Sequence, residues 1–188
     1  MCHKFIIVFL GLLLSSCVVL HEEYYYPQAS GASVEKEWCH GGVGVDNQLI
    51  FKIDDVNVRL EVWEYKGVTR LGVSFEVYAG ANVVWPSQVV IVHSSENTID
   101  LEPSNFTRLR RVSGTDKLLK KVYPVDSIMS SDGSQEFETY YESFVISNEN
   151  TDKVKIEEIR LVINGKERVL SDLYFTKKSG FFLHPLNC

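Results

Sequence analysis

The sequence predicts an all-β domain built as an antiparallel β-sandwich, and three observations carry that expectation. Apolar and polar residues alternate with period two on both sides of Lys66-Gly67. Asn164-Gly165 stands between two further apolar runs as a hairpin turn signal. Roughly eight or nine short β-type segments, each bounded by turn residues, follow one another down the chain, which is the pattern of a sandwich.

The elements follow in order. Val56, Val58, Leu60 and Val62 alternate with Asn57, Arg59, Glu61 and Trp63. Beyond Lys66-Gly67, Leu71, Val73, Phe75 and Val77 alternate with Gly72, Ser74, Glu76 and Tyr78. Two such runs across a glycine-containing turn read as a half-buried hairpin. Val83-Val84-Trp85 stops at Pro86, residues 88–93 (QVVIVH) form an apolar β-branched run, and residues 98–101 read as a short strand before Pro103. Residues 116–123 are expected as a short helix, and residues 127–135 (SIMSSDGSQ) as a polar loop. Phe137, Tyr140, Tyr141, Phe144 and Val145 fit a helix face, but aromatic and β-branched content favours a strand over residues 140–147. Residues 148–152 (NENTD) are a turn. Ile159, Leu161 and Ile163 then alternate, Asn164-Gly165 supplies the positive φ angles of a type I′ turn, and Val169-Leu170 returns. Residues 173–175 and 180–183 close the sheet. An Ig-like sandwich is the preferred version, although its internal Cys…Trp…Cys spacing is absent, and a barrel is the alternative.

The N-terminus carries an address. Lys4 is the one charge before an apolar run, residues 5–14 (FIIVFLGLLL), which ends in Ser15-Ser16-Cys17. A membrane-spanning helix needs about 20 apolar residues, so this shorter run reads as a secretory signal. Leu14-Ser15-Ser16-Cys17 resembles the lipobox of bacterial lipoproteins. That resemblance implies removal of residues 1–16, a diacylglyceryl group on the Cys17 thiol, and acylation, as by palmitate, of the new amine. An ordinary signal peptide that happens to contain Cys17 is the alternative. Val18, where an Asp would retain many such proteins in the inner membrane, points to the outer membrane and the periplasm. Residues 17–37, with Tyr24, Tyr25, Tyr26, Pro27 and a run of small residues, are expected to be a flexible tether. The tyrosines either pack on the domain or sit at the wet edge of the bilayer. Residues 38–188 form a single domain.

Removing Lys4 takes the 19 basic residues to 18 against 25 acidic ones, a net charge of −7. This acidic balance argues against general nucleic-acid binding, which wants a basic face. Cys2 leaves with the signal and Cys17 takes the lipid, so Cys39 and Cys188 remain as an even pair in an exported chain, read as a disulfide. A Zn²⁺ site of Cys39, His40, His184 and Cys188 is the rival arrangement. Adjacent side chains such as Cys39 and His40 diverge on an extended chain, which weighs against it. No metal or other cofactor is expected.

Catalytic patterns are weak. Residues 39–44 (CHGGVG) are glycine-rich, but strand-like residues follow and no Lys-Ser/Thr closes a phosphate loop. His93 precedes Ser94 and Ser95, yet neighbours on a strand point to opposite faces, so they make no dyad. Asp54-Asp55 and Glu157-Glu158 read as solvated surface carboxylates. Trp63 is expected to face outward or cap a sheet edge, and Trp85-Pro86 to pack a loop; stacking of tryptophans on sugars is a minor alternative. Charge picks out the best candidate. Arg108, Arg110, Arg111, Lys117, Lys120 and Lys121 lie within 14 positions of an acidic protein. Such a cluster suits an anionic partner, whether an envelope protein or an anionic polymer; a solvated loop is the bland alternative. The functional expectation is therefore a lipid-anchored envelope binding or structural module, with no catalytic residues assigned. A periplasmic hydrolase acting on the cell wall or envelope is the alternative.

Overall fold

The computed structural model describes residues 17–38, 43–95, 97–111 and 118–185. In chain order its strands are β1 (Cys17–Gln28), β2 (Ser33–Trp38), β3 (Val43–Ile53), β4 (Val56–Tyr65), β5 (Val68–Tyr78), β6 (Asn82–Val84), β7 (Val90–Ser94) and β8 (Thr98–Leu101). There follow β9 (Asn105–Arg111), β10 (Leu118–Pro124), β11 (Met129–Ser130), β12 (Phe137–Ser147), β13 (Lys153–Ile156), β14 (Ile159–Ile163), β15 (Lys166–Leu170) and β16 (Leu173–Pro185). Among the described residues there is no helix. A seven-stranded sheet runs β10-β9-β12-β5-β4-β3-β2, a five-stranded sheet β1-β16-β13-β7-β8, and a four-stranded sheet β11-β6-β14-β15. All strand pairs within the sheets are antiparallel, and the sheets pack on one another as a sandwich, as the sequence predicts.

The core follows from the alternation in β4 and β5. Val56, Val58, Leu60 and Val62 lie opposite Val77, Phe75, Val73 and Leu71, and all eight are buried. Fully burying such side chains contributes about 1.5–3 kcal/mol each. They share one apolar cluster with Val90 and Val92 of β7, Phe175 of β16, and Ile159, Leu161 and Ile163 of β14. Trp85 closes it, its ring 5.3 Å from Phe106 and 6.2 Å from Phe75. Trp85 is thus a core residue in the stretch expected as loop packing.

Three two-residue turns set the register. Asp54-Asp55, Lys66-Gly67 and Asn164-Gly165 all have positive φ at both positions, and each joins directly paired strands. That is the twist-matched hairpin turn. Asn164 does more than turn. Its backbone N donates to Asn82 O, its Oδ1 accepts from Asn82 N, and its Nδ2 donates to Asp54 O. One side chain therefore ties the β14–β15 turn to β6 and to the β3–β4 turn.

Several expectations are corrected. Within residues 17–37, expected as tether, lie strand β1 and all of β2 except Trp38. All twelve residues of β1 pair with β16, from Cys17 opposite Pro185 to Gln28 opposite Tyr174. Tyr25 is buried and its hydroxyl donates to Thr151 O at 2.6 Å. Residues 173–175 and 180–183 are not separate strands. β16 runs through the intervening Lys177, whose Nζ reaches Glu23 at 2.8 Å and Glu64 at 3.1 Å. The helix expected over residues 116–123 is absent from its described part. Leu118–Pro124 is extended and pairs residue for residue with β9, so its backbone hydrogen bonds go to a neighbouring strand. The polar loop at residues 127–135 contains the short strand β11. Cys39, His40 and Cys188 lie outside the described residues, as does Lys117.

On the outer face of the seven-stranded sheet, Trp63 lies across Gly72: a Cβ there would stand 2.6 Å from Trp63 Cζ3. Trp63 thus faces outward, as its place in the alternation predicts. Gly72→Ala should lower stability by about 1–3 kcal/mol through overpacking. Adding Trp63→Ala should remove most of that increment in chemical denaturation; an equal penalty in both backgrounds would refute the contact.

Candidate basic hairpin

The charge cluster folds as a β-hairpin, and alternation sorts its side chains onto two faces. Arg108 lies opposite Lys121 and beside Tyr140 of β12; Leu109 lies opposite Lys120. One face therefore carries Phe106, Arg108, Arg110, Leu119, Lys121 and Tyr123. The other carries Thr107, Leu109, Leu118, Lys120 and Val122, continuing into Tyr141 of β12. Leu118 is 55% exposed and Val122 49% exposed, and Leu109, Leu119 and Tyr141 are exposed too. β10 is the last strand of its sheet, so its outer backbone groups have no strand partner among the described residues. A two-stranded edge presenting apolar residues and lysines together can meet a partner through its backbone, its apolar side chains and its charge.

The first face has a buried acid beneath it. Glu138 of β12 is only 2% exposed. Arg108 Nη1 stands 3.7 Å from its Oε2, and Arg110 Nη2 stands 3.9 Å from its Oε1. Those distances are attraction without direct hydrogen bonds, and Oε1 has no hydrogen-bond partner among the described residues. Arg110 turns instead to Asp132 at 2.9 Å and to Ser134. Hydrogen bonds from Ser134, side chain then backbone, and from Arg110 pull the Asp132 carboxyl down to about 2. The Arg108 guanidinium lies 5.7 Å from the Tyr123 ring centre and 6.0 Å from that of Tyr140, and Lys121 Nζ lies 4.7 Å from Tyr123. Cations over ring faces are held by the ring quadrupole. Arg108 and Arg110 are thus engaged with the domain; Lys121, though exposed, covers the Tyr123 ring, and Lys120 is exposed on the opposite side of β10. Of the other residues expected here, Arg111 ends β9 opposite Leu118.

The remaining candidates separate. His93 makes no bond to Ser94 or Ser95. Its Nδ1 is 2.9 Å from Thr98 Oγ1 and its Nε2 is 2.8 Å from Glu157 Oε1. The fold supplies this through pairing of His93 with Thr98 on β8 and with Lys155 on β13, which leads to Glu157. Sequence separation of 64 residues hid the carboxylate from a linear reading. Glu158 pairs with Arg160 at 2.6 Å. Asp54 accepts from Arg168, and that hydrogen bond, followed by the charge, holds its carboxyl below the ordinary value. Among the described residues, no three His, Cys, Asp or Glu gather as a metal site and no helix is long and apolar enough to cross a membrane. Comparison with family models, curated proteins and solved structures finds no match to this chain.

Two outcomes test this electrostatic arrangement. Arg108→Ala should cost about 3 kcal/mol in chemical denaturation, because it leaves the Glu138 charge buried with one distant cation. A loss under 0.5 kcal/mol, the ordinary surface value, would show that Glu138 does not depend on Arg108. Burial, then the adjacent Tyr123, pushes the Tyr140 phenol up to about 12. Its proton is held more tightly in the fold than in the unfolded chain, where the value is about 10. The stabilisation is therefore whole below pH 10 and is lost as pH rises toward 12. Tyr140→Phe should flatten the stability profile over that window. It should also cost about 1 kcal/mol at neutral pH, since the hydroxyl donates to Ser130 O at 2.6 Å and accepts from Ser130 N at 3.1 Å.

Proposed function

We propose that the mature chain is a lipid-anchored bacterial envelope protein that faces the periplasm and acts as a binding module, with the β9–β10 hairpin as its binding surface. The observation that carries this reading is the combination of exposed Leu109, Leu118 and Val122 with Lys120 on one side of an open sheet edge. Edge strands commonly carry lysines that discourage strand addition. An edge that needed only such protection has no use for three exposed branched apolar residues beside the lysine. Apolar contact and backbone pairing supply affinity, and positive charge on an acidic protein selects an anionic partner. An envelope protein or an anionic polymer meets that description. The lipobox supports anchoring at Cys17, and Val18 supports the outer membrane.

A second reading, a hydrolase acting on envelope substrates, is favoured by His93 held between a hydroxyl and a carboxylate. A base oriented by an acid is a component of nucleophilic catalysis. Here, however, Thr98 and His93 are direct cross-strand partners, so sheet pairing by itself brings them together. Loss of peptidoglycan hydrolysis on His93→Ala, with the fold intact, would establish this second reading.

The binding reading is tested in cells with a photo-crosslinking residue at Lys120 and, for comparison, at Lys52 on β3. A discrete adduct from position 120 alone, weakened by high salt and by Lys121→Glu, is the expected result. Equal, diffuse labelling from both positions would exclude the hairpin as the binding surface.

A further inference from the structure

The far end of the β1–β16 ribbon leaves aromatic surface uncovered. Phe181 is 77% exposed, the most exposed large apolar side chain among the described residues. It lies opposite His21, whose ring meets it edge-on at 5.2 Å. Phe182 folds back over Gly180, where a Cβ would come within 3.1 Å of the ring, and meets Tyr24 at 5.7 Å. On the same strand Lys178 Nζ stands 3.6 Å from the centre of the Tyr26 ring. Phe181 belongs to the ribbon face that also carries Tyr25, which is buried in the core. The inward face of the ribbon thus runs out past the core, and among the described residues Phe181 meets only the ring of His21 there.

What covers Phe181 follows from where the ribbon ends. Its last described rung is Cys17 with Pro185. The premise is lipidation of Cys17, as proposed above. A lipid there is joined to the ribbon with no intervening slack, because the cysteine itself is paired. Phe181 stands four rungs away, about 13 Å along the strand at 3.3 Å per residue. The intervening positions read Val18, Val19 and Leu20 on β1, and Phe182, Leu183 and His184 on β16. Tyrosines favour the wet boundary of a bilayer, phenylalanine buries at the headgroup–acyl boundary, and lysines there meet anionic head groups. Glu22 and Glu23 limit the depth, since a charge does not enter hydrocarbon without a large cost.

We infer that the β1–β16 ribbon end, with Phe181 foremost, rests in the interfacial layer of the membrane that holds the lipid of Cys17, so that the domain is seated on the bilayer and not suspended above it. Seating fixes an orientation. Lys177 joins the ribbon to Glu64, near the end of β4, and Asn164 bonds Asp54 beyond the start of β4. The Asn164-Gly165 turn is therefore held one β4 length from the Lys177–Glu64 contact, which itself lies four rungs beyond Phe181.

The test uses full-length, processed protein in vesicles of phosphatidylethanolamine and phosphatidylglycerol whose acyl chains carry bromine, a short-range quencher of tryptophan. Phe181→Trp is compared with Lys166→Trp beside the Asn164-Gly165 turn, after subtracting wild-type fluorescence; intact mass reports the lipid. Lipid on the protein with several-fold stronger quenching at position 181 than at 166 is the expected result. Lipid present with equal, weak quenching would overturn the seated ribbon and leave the lipoprotein reading standing. A mass without lipid would overturn both.

Discussion

The structure depends on the hairpin of β4 and β5. Its inward valines, leucines and phenylalanine are opposite one another in register, and every other sheet packs against the surface they make. Because side-chain period in a strand is two, a slip of one residue would turn that whole surface to solvent. The two-residue Lys66-Gly67 and Asp54-Asp55 turns prevent it, with both central positions in each at positive φ. Trp63 over Gly72 is a second lock on the outer face, because only this register brings the indole to the one residue without a Cβ.

From that centre the chain grows outward to edges that differ in character. β10 ends the seven-stranded sheet with every side chain except Tyr123 exposed. Beneath the neighbouring β9, Glu138 faces Arg108 and Arg110, and these two arginines are engaged with it, with the neighbouring rings and with Asp132 and Ser134. A basic cluster in sequence thus divides into cations that build the hairpin and cations that face solvent. In the five-stranded sheet the β1–β16 ribbon is long, aromatic and tied down by Lys177, which is 12% exposed and serves two glutamates on different sheets. Lipid anchoring and partner binding, as proposed, fall on separate elements with the core between them in the chain.

The hairpins were legible where their signals are local. Alternation over residues 56–62 and 71–77, and the Asn-Gly dipeptide, require only neighbouring residues to be interpreted, and the strands lie there. The outward Trp63 followed from the same alternation. Strands β9 and β10 were hidden because, apart from Phe106 and Tyr123, their apolar residues are exposed; without a continuous buried stripe, Leu118-Leu119-Lys120-Lys121 is equally compatible with a helix. β1 and β2 were hidden for a related reason. Glu22-Glu23, the tyrosines and the small residues lack period-two hydrophobicity, and only pairing with β16 and β3 makes them strands.

By itself the sequence determined the all-β class, the central hairpin, the Asn164-Gly165 turn and the concentration of positive charge in one segment of an acidic chain. These are set by interactions between residues a few positions apart, or by composition alone. Tertiary structure decided what those residues face. It placed Glu138 under Arg108 and Arg110, brought Glu157 to His93 across 64 positions, and paired the first described residue with Pro185. Such contacts depend on which strands become neighbours. That choice is made by burial of the whole apolar surface at once, and no local stretch of sequence contains it.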